Sequence, residues 1–438
     1  ANVNTDLFEL PAGAFSLGLG YEHREEKANF TPGGFLQQGR GRSVPVAPVD
    51  GKYRTDEVYT EFFAPIANDN MDIPFMASAS VEGAFRRVFN SFAGTDNIWT
   101  IGGRFSPVED IEFRGNVTES VRAPAPVELF LPLAGVFSFA DDPCDLNFVD
   151  LGPNPAARRA NCIADGIDPD TFASNVVNAT VQGRTGGNLD LLNETAEAWT
   201  VGVVLRPRWV DNLTVAIDYV EIDLTQSIEQ FSLTQLMESC YDQTDFPNEF
   251  CNSFTRLPDG QLPAVNAFTS GFVNAGLRTF RGTTVDAEWS GDLPWGQLSV
   301  AAYLFLPQED IVQIKESIDD DKGEIGNSDV QGQLNLLFSR DNWSTLWQSR
   351  YIGEAKVDNE DIATSRDFPV VDAQWLFNAA FVYDISDQMH VQLNVNNVFD
   401  EEPDPVAIAA GAANGVSAGH LAYDDIGRFY RLGVALEF

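Results

Sequence analysis

The sequence predicts an all-β chain, a transmembrane antiparallel β-barrel with about fourteen strands present. Three observations carry that expectation. The last segment, Gly427 to Phe438, places Tyr430, Leu432, Val434, Leu436 and Phe438 on every second position, with Arg431, Gly433, Ala435 and Glu437 between them. Side chains of a strand alternate faces, so this segment has one apolar face and one small or polar face, and it is long enough to cross a bilayer as a tilted strand of about 9–11 residues. Hydrophobic residues make up 44% of the chain, yet no run of about 18 apolar residues occurs. That excludes a spanning helix and leaves alternating strands. Finally, short turns and long polar loops alternate strictly, as hairpins with two different rims require.

Each element follows from the same period. Residues 8–13 read as a turn-like lead-in, and strand one alternates Phe15, Leu17, Leu19 and Tyr21 with Ser16, Gly18, Gly20 and Glu22. A loop of about 30–50 leads to strand two near 52–64, where Val58, Thr60 and Phe62 oppose Glu57, Tyr59 and Glu61. The turn Pro65–Pro74 precedes strand three, about 75–87. Strand four carries Trp99, Ile101, Gly103 and Phe105, and strand five Ile111, Phe113, Gly115 and Val117. After a long segment, 123 to about 192, strand six gives Trp199, Val201, Val203 and Leu205, and strand seven Leu213, Val215, Ile217 and Tyr219. A second long segment, about 227–271, contains one short helical stretch, Ser232 to Ser239. Strands eight and nine follow, through Val285, Ala287 and Trp289, then Leu298 to Leu306. An acidic loop, about 308–327, precedes strands ten and eleven, joined tightly at Asp341-Asn342. Strand twelve presents Trp375 to Tyr383, strand thirteen Met389 to Val395, and a loop of 399–426 returns to the terminal strand.

The tryptophans sort by height. Trp209, Trp289, Trp295 and Trp343 sit beside short turns; Trp99, Trp199 and Trp375 sit at long-loop ends. Two aromatic girdles are the membrane-barrel arrangement. The face opposite the apolar one then lines the lumen and carries Glu22, Arg24, Glu61, Glu82, Arg104, Glu112, Arg114, Asp218, Asp286, Glu288, Arg350, Gln392 and Asn394. Charges of both signs imply a wet or protein-filled interior.

The 438 residues suffice for two or three soluble domains or one large barrel, and the net charge of −38 disfavours nucleic acid as a partner. It suits a cell-surface protein whose acidic loops sit among divalent cations and lipopolysaccharide. Four cysteines form two close pairs, Cys144 with Cys162 and Cys240 with Cys251. Three connectivities exist, and local pairing is the simplest, giving loop disulfides in an oxidising compartment. Neither pair has metal-site spacing. No metal site and no cofactor is expected, and His23, His390 and His420 share no catalytic motif.

Several stretches resemble one family. Arg114-Gly115-Asn116, Arg122-Ala123-Pro124 and Glu128-Leu129-Phe130 are followed by Asn394-Val395-Asn396-Asn397-Val398-Phe399-Asp400 and by Gly427-Arg428-Phe429-Tyr430 with Phe438. In that order they resemble the TonB-dependent receptor family of outer-membrane transporters, with Val398 where its N-x-N-N-L-F-D motif has Leu. The terminal strand, Tyr430 to Phe438, resembles the signal read by the barrel assembly machinery. The stretch Phe8 to Gly13 and the loop Cys240-Tyr241-Asp242 to Cys251 resemble a large subgroup with cysteine-bearing outer loops, some of whose members are suspected of carbohydrate uptake. The resemblance implies an N-terminal plug, a TonB-binding box and a barrel of about 22 strands. The chain is then expected to supply the last fourteen strands, residues 1–438, without plug or box.

The function implied is TonB-dependent import of a scarce solute (carbohydrate, siderophore or vitamin) across the bacterial outer membrane. Loops 123–192, 227–271, 308–327 and 399–426 are the expected recognition surface. Within them Tyr241, Asp242, Phe246, Phe250 and Phe254 are the substrate-binding candidates; the aromatic rings either stack on a solute or pack the loop's own core. Asp319, Asp320, Asp321 and Glu324 either bind calcium or form a solvated charge run. The alternatives are a self-contained diffusion channel of fourteen strands and a surface receptor or adhesin without transport. No enzymatic activity is expected.

Overall fold

The computed structural model describes residues 1–40, 45–314, 317–357, 359, 369–406, 416–417, 423–424 and 426–436. Fifteen strands make up the wall. They are β1 (Asn2–Leu10), β2 (Gly13–Phe30), β3 (Val49–Ala67), β4 (Ser78–Asn90), β5 (Gly94–Val108), β6 (Ile111–Arg122), β7 (Glu194–Leu205) and β8 (Leu213–Gln230). The remainder are β9 (Thr269–Leu293), β10 (Gly296–Ile314), β11 (Gln331–Arg340), β12 (Trp343–Ile352), β13 (Gln374–Ser386), β14 (Met389–Asn396) and β15 (Phe429–Leu436). Each pairs antiparallel with the next. Among the described residues no pairing joins β1 to β15.

The register turns sequence alternation into two surfaces. Phe113, Val203, Ile217, Val285 and Leu304 stand directly opposite one another across five strands. Ile101, Phe113 and Val201 on this face are about half exposed, at 50, 49 and 50%. A continuous apolar band of this kind meets hydrocarbon, not water. An aromatic ladder crosses β11–β13 on the same face. Phe338 and Trp343 lie 5.3 Å apart, Trp343 and Phe381 6.0 Å, and Tyr351 and Trp375 4.8 Å.

The other face is polar. The register places Glu22, Arg24, Glu61, Arg104, Arg114, Asp218, Asp286, Glu288, Arg350, Gln392 and Asn394 together on it. Arg114 reaches over β7 to grip Asp218 with two hydrogen bonds, Nε–Oδ1 at 2.8 Å and Nη2–Oδ2 at 2.5 Å. Gly202, between them, makes this reach feasible: a Cβ there would lie 2.0 Å from Asp218 Oδ1.

Three sequence expectations change. Asn2–Leu10 is a strand, not a lead-in, so the wall has fifteen strands where fourteen were expected. Only the turn at 11–12 separates it from β2, and Phe8 stacks on Phe15 at 4.9 Å. The alternation of turns and loops is not strict, because on the long-loop rim β4 and β5 are joined by residues 91–93 alone. Asn90 makes so tight a turn feasible, its side-chain oxygen accepting from the N–H groups of Phe92 and Ala93. The segment expected as an acidic loop from 308 is strand up to Ile314, then pairs back through Ser317–Asp320. A register shift at Arg281/Gly282 breaks the alternation there and hides the strand from a period-two reading.

Candidate functional site

The two longest connections, 123–193 and 231–268, fold on the long-loop rim into one compact body. The first contributes helix α1 (Pro155–Ala164), with Pro155 at its first turn and Asn154 Oδ1 accepting from Ala157 N at 3.3 Å. The second contributes helix α2 (Leu233–Tyr241), opened by a capping box: Ser232 Oγ accepts from Gln235 N at 3.2 Å, and Gln235 Oε1 from Ser232 N at 2.9 Å. A short sheet of Ala134–Ser138, Val181–Gly186 and Thr269–Gly271 closes one side. Both cysteine pairs are bonded locally, Cys144 to Cys162 and Cys240 to Cys251. They belong to a buried cluster with Val176, Phe231, Leu236, Met237, Tyr241 and Leu262.

Two buried arginines tie the connections together. Arg158 on α1, 2% exposed, donates to both carboxylate oxygens of Asp242, to Phe148 O at 2.8 Å and to Glu238 Oε1 at 3.2 Å. Its guanidinium lies over Gly152, where a Cβ would come within 2.2 Å of Cζ. Arg256 grips Asp142 with two bonds, 2.7 and 2.8 Å, and donates to Gly260 O at 2.7 Å and Tyr241 Oη at 2.8 Å. It also stands over the rings of Tyr241, Phe254 and Phe172 at 5.1 to 5.9 Å.

Of the two readings open for Tyr241, Phe246, Phe250 and Phe254, this arrangement favours packing of the loop's own core, and with Asp242 these residues offer no open surface to a solute. Tyr241 is 0% exposed; its hydroxyl donates to Asp165 Oδ2 at 2.5 Å, and burial pushes its pKa up. Asp242 is committed to Arg158, Phe250 and Phe254 are buried, and Phe246 packs on Tyr241 at 5.6 Å. All five hold the loop body together. Sequence reading missed Arg158, Arg256, Asp142 and Glu238; an arginine one turn before Cys162 and an aspartate two before Cys144 were the available signals.

The open space lies beside this core. A cavity of about 590 Å³ is bounded by Leu151–Pro153, by Thr234, Gln235, Glu238 and Ser239 on α2, and by Val312, Ile314, Ile318 and Asp319. Val312 lies opposite Arg278 and shares the polar wall face of Asp310, so the cavity opens at the inner side of the rim. Its charged lining groups are the carboxylates of Glu238 and Asp319; among the described residues no lysine or arginine lines it. Burial, first of all, raises the Glu238 pKa, against the pull of Arg158. The lining therefore offers hydroxyls, an amide and carboxylates beside an apolar wall, a set that accepts hydrogen bonds from a polar solute.

The acidic stretch nearby is ordered. Asp319, Asp321 and Glu324 bring carboxylate oxygens within 4.8 Å of one another, and Glu324 Oε1 accepts from Asn359 N at 2.7 Å. Burial, then Asp319, raises the Asp321 pKa. Of the terminal strand, Tyr430, Leu432, Val434 and Leu436 point to the apolar face, 55 to 71% exposed, while Phe438 lies outside the described residues. His420 and much of 399–426 also lie outside them.

A meander of long antiparallel strands with an apolar belt outside, a polar face inside and its large connections on one rim defines the wall of an outer-membrane β-barrel. Residues 1–398 match the family model for the TonB dependent receptor-like beta-barrel, and the chain belongs to that family. A search of curated proteins finds no match. Among solved structures, the ferric enterobactin receptor of Pseudomonas aeruginosa (PfeA, an R480A mutant in complex with enterobactin) is similar at 17% identity and TM-score 0.61, over 99% of this chain and 53% of that one. The siderophore receptor PirA of Acinetobacter baumannii is similar at 13% identity and TM-score 0.61, over 100% and 54%. The FrpB iron transporter of Neisseria meningitidis gives 14% and 0.53, over 100% and 54%. The chain thus spans about half the length of these receptors. The family is one of bacterial outer-membrane receptors.

Proposed function

We propose that this chain supplies barrel wall and outer recognition loops to an importer energised by the TonB complex. The solute enters by the cavity between Leu151–Pro153, α2 and upper β10. That cavity carries the reading: it opens on the polar side of the wall, and a body clamped by two disulfides and two buried ion pairs holds its shape. Its lining favours an uncharged or cationic solute rich in hydroxyl groups, such as a carbohydrate, over an anionic ferric chelate, because among the described residues its charges are carboxylates. The polar face with Glu61, Arg114, Asp218 and Asp286 then lines the lumen through which the solute passes. Among the described residues β1 and β15 do not pair with each other, which lends no support to a self-contained fourteen-strand channel, since an open edge in lipid leaves backbone groups unsatisfied.

The test uses the full-length protein in its own outer membrane. Val312→Trp fills the cavity while leaving the wall paired. Uptake of labelled oligosaccharides is expected to fall by roughly tenfold or more, the scale of a lost binding contact of about 1.4 kcal/mol. Unchanged oligosaccharide uptake, or uptake of a ferric siderophore alone, would overturn the proposal. A deletion strain with no uptake defect would favour the adhesin reading.

A further inference from the structure

The inner face of the wall is not uniform. On β2–β9 it carries charges of both signs, Glu61, Glu82, Arg104, Arg114, Asp218 and Asp286 among them. The inner positions of β11 and β12, from Gln331 to Ser339 and from Ser344 to Ile352, hold amides, hydroxyls, apolar groups and one cation, Arg350, and no carboxylate. This neutral sector lies in a chain with 65 aspartates and glutamates, so it does not reflect average composition.

The strand β10 joins the two sectors and runs down from the cavity at Leu151–Pro153. Below Val312, the Asp310 carboxylate is matched by Arg278 at 3.1 Å and by Asn327 at 2.9 Å. Aromatic rings come next. Phe280 and Phe305 lie 6.1 Å apart and stacked, and Gly282 lets them meet, since a Cβ there would come within 3.1 Å of Phe305 and 3.2 Å of Phe280. Tyr303 follows on the same face, 43% exposed. The next inner position, Ala301, lies in one row with Thr214, Glu288, Asn335 and Gln348. That row borders a second cavity, of about 510 Å³.

A ladder of amides orients the row. Asn335 Oδ1 accepts from Gln333 Nε2 at 3.3 Å and from Gln348 Nε2 at 3.1 Å, and Gln348 Oε1 accepts from Asn378 Nδ2 at 3.0 Å. The oxygen of Asn335 is thereby engaged twice, while its Nδ2 has no acceptor among the described residues; Glu288 has no partner there either. A donor and an acceptor thus flank the small Ala301 side chain, about 10 Å apart across two strand spacings. One sugar ring with a hydrogen bond at each end spans such a gap. A pyranose also has a face of C–H groups, which stacks on an aromatic ring, and a rim of hydroxyls, which bonds amides and carboxylates. The rings above the row and the polar groups along it supply both.

We propose that Tyr303, Glu288, Asn335 and Gln348 form a second carbohydrate site on the inner face, roughly 35 Å along β10 from the cavity at Leu151–Pro153. The assignment rests on the reading of that first cavity as the way in for a carbohydrate. Equilibrium dialysis of the purified full-length protein against radiolabelled neutral hexasaccharides of glucose and of xylose counts the sugars bound per barrel. The parent is expected to hold two. Val312→Trp should leave the lower one, and Y303L/N335L the upper one, with the lower site weakened roughly a hundredfold, tenfold for the ring and tenfold for the amide. Tyr303→Phe keeps the ring face and should bind within about threefold of the parent. Heat-modifiable gel mobility establishes that each variant is folded. One sugar in the parent, lost in Val312→Trp and kept in Y303L/N335L, leaves the first cavity standing and overturns the second site. One sugar lost only in Y303L/N335L supports the second site and overturns the first cavity. No bound hexasaccharide overturns both. A loss in Tyr303→Phe as large as in the double variant also overturns the second site, because the ring face would not then be the contact.

Discussion

Replacing Arg256 by Met should loosen the loop body without touching the wall. Arg256 and Asp142 are 8 and 0% exposed, and the guanidinium supplies both charge-assisted bonds to that carboxylate. Removing one member of a buried pair costs about 3–5 kcal/mol, because the remaining charge is stranded. The low end applies here, since Asp142 keeps donors in Cys144 N at 3.0 Å and Ser174 Oγ at 2.7 Å. A cost of about 3 kcal/mol is roughly a 150-fold rise in the opening equilibrium. Hydrogen exchange measures that rise at Thr255 and Ala267, whose N–H groups donate to Ala267 O and Gln182 O inside the body. Exchange there should accelerate by about that factor, while amides of β13 and β14 stay protected. Adding Asp142→Leu removes the stranded charge and should recover part of the protection. If the single change leaves exchange within about threefold of the parent, the pair does not organise the body and the reasoning fails.

Two further outcomes follow from the geometry. Glu238 has a folded-state pKa raised above its ordinary value of 4.5, so its contribution to stability is fully present below that value and declines as pH rises through the raised one. Glu238→Gln should therefore stabilise the loop body near neutral pH and give no gain near pH 4, read as the difference in exchange between parent and variant; a gain that is the same at both pH values would count against this. On the wall, Gly202→Ala puts a Cβ into Asp218 and breaks its grip on Arg114. The pair is partly exposed, so the loss should be about 1 kcal/mol or less. In an Asp218→Ala background the same change should cost less, the remaining obstacle being the Ile217 carbonyl oxygen at 2.9 Å; additive losses would show that the pair is not what Gly202 accommodates.

The wall was legible because its information is local. One period of two, read from Leu17, Ile101, Val201 or Leu393, places each residue on a face, and hydrogen-bonded neighbours inherit the assignment through the register. The strand β1 was harder, since Thr5, Asp6 and Glu9 blur its alternation and a register shift falls between Asp6 and Phe8. The loop body was not legible, and for a different reason. Arg256 meets Asp142 across 114 positions and Arg158 meets Asp242 across 84, so no window along the chain contains both partners. Aromatic residues in a polar loop left stacking on a solute and packing of the loop's own core both open; the partners that bury Tyr241 and Phe254 come from the other connection and from the cation between them.

Each disulfide closes a ring within its own connection, and neither joins the two. What couples the halves is non-covalent: the ion pairs Arg158 with Asp242 and Arg256 with Asp142, hydrogen bonds such as Tyr241 to Asp165 and Asn161 to Tyr241 O, and the apolar contact around them. The two halves can therefore part and rejoin with every sulfur bond intact. Oxidation closes one ring in each connection, and the shared core around Tyr241 and Met237 forms only where both connections lie on the same side of the membrane.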